Sequence, residues 1–282
     1  MSDSKILFGF ITFFLTFFLS FLIVPKSSVT VIPIEKTYQS VPKAVIVENI
    51  DNIEKGCGVE DYKCNIAQYT EVIEANPKDA SAYYNRGWYY NANKEYENAV
   101  RDYTKAIKLN PEDFDNFYNR GIAYENLEKL DPAIADYTQA IKLDPENSDA
   151  YCNRAGLFDD KGLYKKAIAD YTKAIELDGD DAVTFYNRAI SYSNNKDYSK
   201  SVADNTRAIE IDPEDADAYY NRADSLANLR QYEKAIADYT RSLELKPEDA
   251  DAYKERGELY KKLGEKEKAE ADFEKYKEYC KK

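Results

Sequence analysis

Six arginines recur at an interval of 34 residues, at Arg86, Arg120, Arg154, Arg188, Arg222 and Arg256, within phrases such as YYNRG and FYNRA. An aspartate follows each one 16 residues later, at Asp102, Asp136, Asp170, Asp204, Asp238 and Asp272. A planar guanidinium can meet a carboxylate at two points, so the first chemistry this pattern suggests is an internal bridge between two helices, repeated six times. The alternative is a row of cations that binds anions. A matched carboxylate in every unit would neutralise such a row, which favours the bridge. The upstream segment lacks both partners together, with Asn52 and Gln68 in the two frames.

Other reactive groups are scarce. The chain contains no histidine, which removes imidazole-based zinc sites and every Ser-His or Cys-His nucleophile. It has no GxxxxGK[ST] phosphate loop, and its 10 glycines are too few and too scattered for a dinucleotide fingerprint. Carboxylate pairs such as Asp159 with Asp160, or Asp180 with Asp181, are so common here that none marks a general acid. The formal charge of −13 and the absence of a basic patch in the inner repeats argue against nucleic acid. No enzyme, cofactor or metal site is expected. Cys57 and Cys64 lie close together in GCGVEDYKC, where they could form a disulfide or remain two free thiols.

The elements that must position these residues are legible from the same period. Ala99, Tyr103 and Ala106, then Ala133, Tyr137 and Ala140, fall at i, i+4 and i+7, on one face of a helix. Pro111 and Pro145 end those helices, because proline lacks an amide proton and disfavours helical geometry in the residue before it. The preceding stretch, with Tyr83, Gly87 and Tyr90, has its own helical set. Two antiparallel helices per 34 residues predict an all-α solenoid whose working surface is shared between units.

At this point the chain resembles the tetratricopeptide repeat family. The second unit carries the whole family pattern in Phe117, Gly121, Tyr124, Ala133, Tyr137, Ala140 and Pro145. The resemblance covers six units, 80–113, 114–147, 148–181, 182–215, 216–249 and 250–282, preceded by a degenerate capping repeat at 46–79. Departures are local: Gly179 replaces a closing proline, and Ser201 and Asn205 replace an alanine and an aromatic, so the helix around Tyr198 to Ile211 is expected to pack least well.

The family resemblance implies an α-α superhelix whose first helices line a concave groove. It places Tyr84, Asn85, Trp88, Tyr118, Asn119, Ile122, Asn153, Tyr186, Asn187, Tyr220 and Asn221 there, among several carboxylates. Amides can donate to and accept from a peptide backbone, and tyrosines add apolar area, so the expected ligand is an extended protein segment that is neutral or basic. Some members hold a chaperone's C-terminal carboxylate with lysine, arginine and asparagine. Here Asp149 and Asn153 stand where the third unit's cations would be, which argues against that role. A different reading is a structural one, in which the solenoid self-associates through its convex face and terminal helix.

Residues 1–24 contain ILFGFITFFLTFFLSFLIV, an uncharged stretch at 6–24 between Lys5 and Lys26. At 1.5 Å per residue it would extend roughly 28 Å, close to the hydrocarbon thickness of a bilayer. It reads as a single transmembrane helix serving as an uncleaved anchor, with a cleaved signal sequence as the competitor. Residues 25–45, with Pro25, Pro33 and Pro42, read as an extended linker. The lysines flanking the anchor would put the repeats in the cytoplasm, whereas the two close cysteines point outward; the second is taken as the expectation.

Overall fold

Thirteen α-helices occupy residues 57, 58 and 60–280, the part of the chain described by the computed structural model, and no strand occurs among them. α1 (Tyr62–Ala75) precedes six hairpins. These are α2 (Ala80–Ala92) with α3 (Tyr96–Leu109), α4 (Phe114–Asn126) with α5 (Leu130–Leu143), and α6 (Ser148–Asp160) with α7 (Tyr164–Leu177). Then follow α8 (Ala182–Asn194) with α9 (Tyr198–Ile211), α10 (Ala216–Asn228) with α11 (Tyr232–Leu245), and α12 (Ala250–Lys262) with α13 (Lys266–Tyr279). Each second helix packs on its own partner and on the first helix of the next hairpin, which is the all-α solenoid the sequence predicts.

The helix ends repeat as faithfully as the helices. Asp79, Asp113, Asn147, Asp181, Asp215 and Asp249 precede the six first helices, and each side chain accepts from a backbone N–H of the first turn. The turn between the two helices of a hairpin needs a left-handed residue. Gly162 (φ 69°) and Gly264 (φ 82°) supply it in the third and sixth units, whereas Lys94, Glu128, Lys196 and Arg230 adopt it elsewhere at φ 57° to 66°.

Packing is set by small residues against one ring per unit. Ala99, Ala106, Ala133, Ala140 and Ala167 are fully buried, as are Tyr103 and Tyr137 between them. A Cβ on Gly121 would come within 2.8 Å of the Tyr137 ring, so the glycine is what lets the first helix lie against the tyrosine of the second. In the fourth unit Asn205 takes the ring's place. It is buried with Ser201, its amide donates to the Ser201 carbonyl at 3.1 Å, and Ser225 Oγ lies 2.8 Å from Ser201 Oγ. Asn205 Oδ1 has no hydrogen-bond partner.

First helices of successive hairpins also meet one another, α2 with α4, α6 with α8 and α8 with α10, while no pair of second helices meets to that extent. The first helices therefore form the tighter, inner side. Among the described residues no helix is long and apolar enough to cross a membrane. The anchor expected at 6–24, the linker at 25–45 and the first half of the capping repeat lie outside the described residues.

Candidate functional site

The six arginines do not face an open surface. In each unit the arginine Nε donates to one aspartate oxygen at 2.7 to 2.8 Å and Nη2 to the other at 2.7 to 2.9 Å. The pairs are Arg86 with Asp102, Arg120 with Asp136, Arg154 with Asp170, Arg188 with Asp204, Arg222 with Asp238 and Arg256 with Asp272. All six aspartates are buried. Two-point contact holds a guanidinium plane fixed, so each pair ties the first helix of a hairpin to the second.

The remaining nitrogen reaches further. Nη1 donates at 3.0 to 3.1 Å to a threonine hydroxyl on the second helix of the preceding unit: Thr70, Thr104, Thr138, Thr172, Thr206 or Thr240. One side chain thus holds three helices and closes the seam between units. A ring three residues before each arginine lies over its guanidinium, and a second ring four residues after does so in five of the six units, as Phe117 and Tyr124 do for Arg120 at 5.7 and 5.8 Å; in the fifth unit Leu226 stands in the second place. Sequence reasoning missed the threonine. The signal was present: threonine recurs at this position in every unit that is followed by an arginine, including the degenerate one with Thr70, and gives way to Glu274 in the last.

The asparagine ladder on the inner helices is also partly internal. Asn119 donates to the Tyr84 hydroxyl at 3.3 Å and to the Asp115 carbonyl at 2.9 Å, and Asn153 donates to the Tyr118 hydroxyl at 3.0 Å. Asn221 bonds Tyr186 in the same manner. Each is a tyrosine of one unit meeting an amide of the next. Asn119, Tyr186 and Asn187 are buried, so at those rungs the ladder is not the open amide surface expected from the sequence. Tyr84, Asn85, Trp88, Tyr118, Ile122, Asn153, Tyr220 and Asn221 are half-buried on the inner helices.

Carboxylates share this face under unusual electrostatics. Asp159 accepts from the Ser191 hydroxyl at 2.6 Å, and burial, with Asp160 nearby, pushes its carboxyl up to about 7. Asp224 accepts from the Tyr239 hydroxyl, and burial raises it to about 6. At the far N-terminal end Cys57 and Cys64 are joined by a disulfide, which fastens the segment before α1 to its first turn. Cys152 and Cys280 form no disulfide; Cys152 is buried with Sγ 3.2 Å from Thr184 Oγ1, and Cys280 is exposed.

Antiparallel helix pairs stacked at a fixed period, with capped first helices and a shared inner face, define a helical-hairpin repeat protein. Models of the tetratricopeptide repeat match residues 80–113, 115–147, 148–181 and 216–249, and a second model of the same description matches 170–203 and 238–271. Together these span more than half of the sequence, and the chain belongs to the tetratricopeptide repeat family.

A comparison with curated proteins returns no match. Among solved structures, YrrB, a tetratricopeptide protein with an unusual peptide-binding site, is similar with a TM-score of 0.61 and 24% identity, over 65% of this chain and 95% of that one. MamA is similar with a TM-score of 0.56 and 26% identity, over 57% and 94%. The C-terminal part of a repeat protein from Cytophaga hutchinsonii gives 0.67 and 22%, over 76% and 91%.

Proposed function

We propose that this protein is a membrane-anchored scaffold that holds an extended, neutral or basic segment of a partner protein along the inner helices of its repeats. The observation that carries the reading is the division of labour between the two rows of polar residues. The arginines are consumed by aspartates and threonines inside the stack, so no cationic row is left to attract an anionic ligand. What the inner helices present instead is Trp88, Tyr118, Ile122 and Tyr220 interleaved with carboxylates at Glu125, Asp160 and Asp224. Apolar and aromatic area with a fixed negative field suits a peptide that brings lysine or arginine between apolar residues. The anchor at 6–24 would keep the captured partner near a bilayer, with the repeats on the extracytoplasmic side, where the bond between Cys57 and Cys64 would persist.

Not every inner-face residue can test this. Tyr118 and Asn119 hold adjacent units together, and altering them would disturb the fold as well as a ligand. Trp88→Ala with Ile122→Ala removes inner-face area outside those bonds. The expected outcome is loss of partner adducts in native-membrane crosslinking with an unchanged far-UV circular dichroism spectrum. Undiminished adducts would move the working surface to the convex side or the terminal helix.

A further inference from the structure

Neighbouring units are joined at the inner face by a neutral rung, a tyrosine of one first helix meeting an amide of the next. Such a rung lies between the first and second units, the second and third, and the fourth and fifth. Between the third and fourth, Cys152 stands in the tyrosine's place, and two other bonds cross from α6 to α8. Cys152 Sγ lies 3.2 Å from Thr184 Oγ1, and Thr184 gives its own proton to Asp181 at 2.5 Å, so the thiol is the donor. The Ser191 hydroxyl donates to Asp159 Oδ2 at 2.6 Å. Glu125 and Asp224 also accept from hydroxyls, but from Tyr137 and Tyr239 of their own units. Asp159 is the one of these three carboxyls that ties two units together.

Its surroundings suit the neutral form. Asp159 is 8% exposed, Ser191 is fully buried, and Asp159 Oδ1 has no hydrogen-bond partner. Asp160 stands beside it on α6, and both act with Glu125 of α4 on Tyr171 of α7, whose hydroxyl is raised well above its usual value by burial and by their field. The nearby cations are engaged elsewhere: Arg188 of α8 by Asp204 and Thr172, and Lys161 by Asp131. Among the described residues Asp159 makes no ion pair. A neutral carboxyl can sit there with one oxygen unbonded, whereas a carboxylate is a buried charge with a single donor and a like-charged neighbour. Ionisation therefore favours water entering between α6 and α8, at the expense of the two bonds that close the seam.

We infer that the seam between α6 and α8 is a proton-operated latch, closed while Asp159 is neutral and opening as that carboxyl ionises, so that the inner face of the third and fourth units changes shape with pH. Burial, which lifts the carboxyl to about 7, makes the latch tighten as pH falls below neutrality. The latch does not depend on which segment the inner face captures. Cys152 reports on it, because a buried thiol that donates across the seam reacts only when the seam opens. The full chain in detergent micelles, without reductant, is treated with dithiodipyridine, which reads thiols in acid as well as in base, and mass spectrometry follows Cys152 and the exposed Cys280. At pH 8 Cys152 should react at least about tenfold faster in the unaltered chain than in Asp159→Asn, and that ratio should shrink about tenfold by pH 5.5. Comparison at one pH cancels the thiolate fraction, and Cys280 should react equally in both chains. Ser191→Ala should speed Cys152 at pH 5.5, where the latch is mostly closed. A ratio near one at pH 8, a ratio that does not change with pH, or rates that rise steeply with urea below the unfolding transition, as whole-molecule unfolding would give, would overturn the latch. Should Asp159→Asn fail to fold, hydrogen exchange of the unaltered chain decides. After correction for intrinsic rates, α6 and α8 amides should open about tenfold more at pH 8 than at pH 5.5 while those of α2 and α3 stay constant, and unchanged protection at α6 and α8 would overturn it.

Discussion

At Arg120 three helices meet on one guanidinium, and the cost of removing it depends on what is left behind. Arg120→Ala strands Asp136, which is 5% exposed, and should cost about 3–5 kcal/mol in urea denaturation. Thr104→Val removes only one neutral partner and should cost about 1 kcal/mol. A double-mutant cycle between Arg120 and Asp136 should show strong coupling, and additive losses would remove the clamp from the account. The pairing was legible because both residues carry the 34-residue period. The asparagines were legible as a ladder but not as bonded to tyrosines, since a partner 35 residues away lies in a different unit, which only the packing of one hairpin on the next brings close.

Asp159 makes the opposite kind of prediction. Its carboxyl is raised to about 7 when folded, above the ordinary value near 3.8, so the native state takes up a proton before the unfolded chain does. The charged form opposes folding above pH 7, and this burden is lifted as pH falls through 7 and is gone below about 4. Asp159→Asn should therefore stabilise the protein at pH 8 by on the order of 2 kcal/mol and make no difference near pH 4. Equal effects at both pH values would contradict the sign argued here.

Among the helices and their turns, sequence and structure agree on two antiparallel helices per unit. They diverge in feel at the fourth unit. Replacement of a buried ring by Asn205 predicted a poorly packed α9, and the structure fills the site with a serine and asparagine network that leaves Asn205 Oδ1 unbonded. Less apolar area is buried there than around Tyr103 or Tyr137, so α9 amides should exchange fastest among the second helices of the inner repeats, measured by hydrogen exchange with mass spectrometry. Uniform protection would mean the polar network compensates fully. The hairpin turns offer a gain: Glu128 sits at φ 57°, and Glu128→Gly should raise stability by about 0.5–1 kcal/mol, with no effect expected for a glycine placed at the adjacent Lys129.

Taken as one molecule, the stack uses its charges in two ways that composition could not separate. The formal charge of −13 is the sum over the whole sequence, yet the six aspartates of the clamps are neutralised internally, so the field on the inner helices comes from other carboxylates such as Asp160 and Asp224. Capture of a basic segment should consequently weaken with salt, as screening shortens the reach of that field. The fold was readable because every unit repeats the same few packing choices.

Photo-crosslinking in native membranes addresses the central claim most directly, with p-benzoylphenylalanine placed at Trp88 or Ile122 on the inner helices, or at Lys142 on a second helix. The account predicts one partner adduct from the two inner positions and none from Lys142. Adducts from Lys142 alone, with silent inner positions, would contradict it.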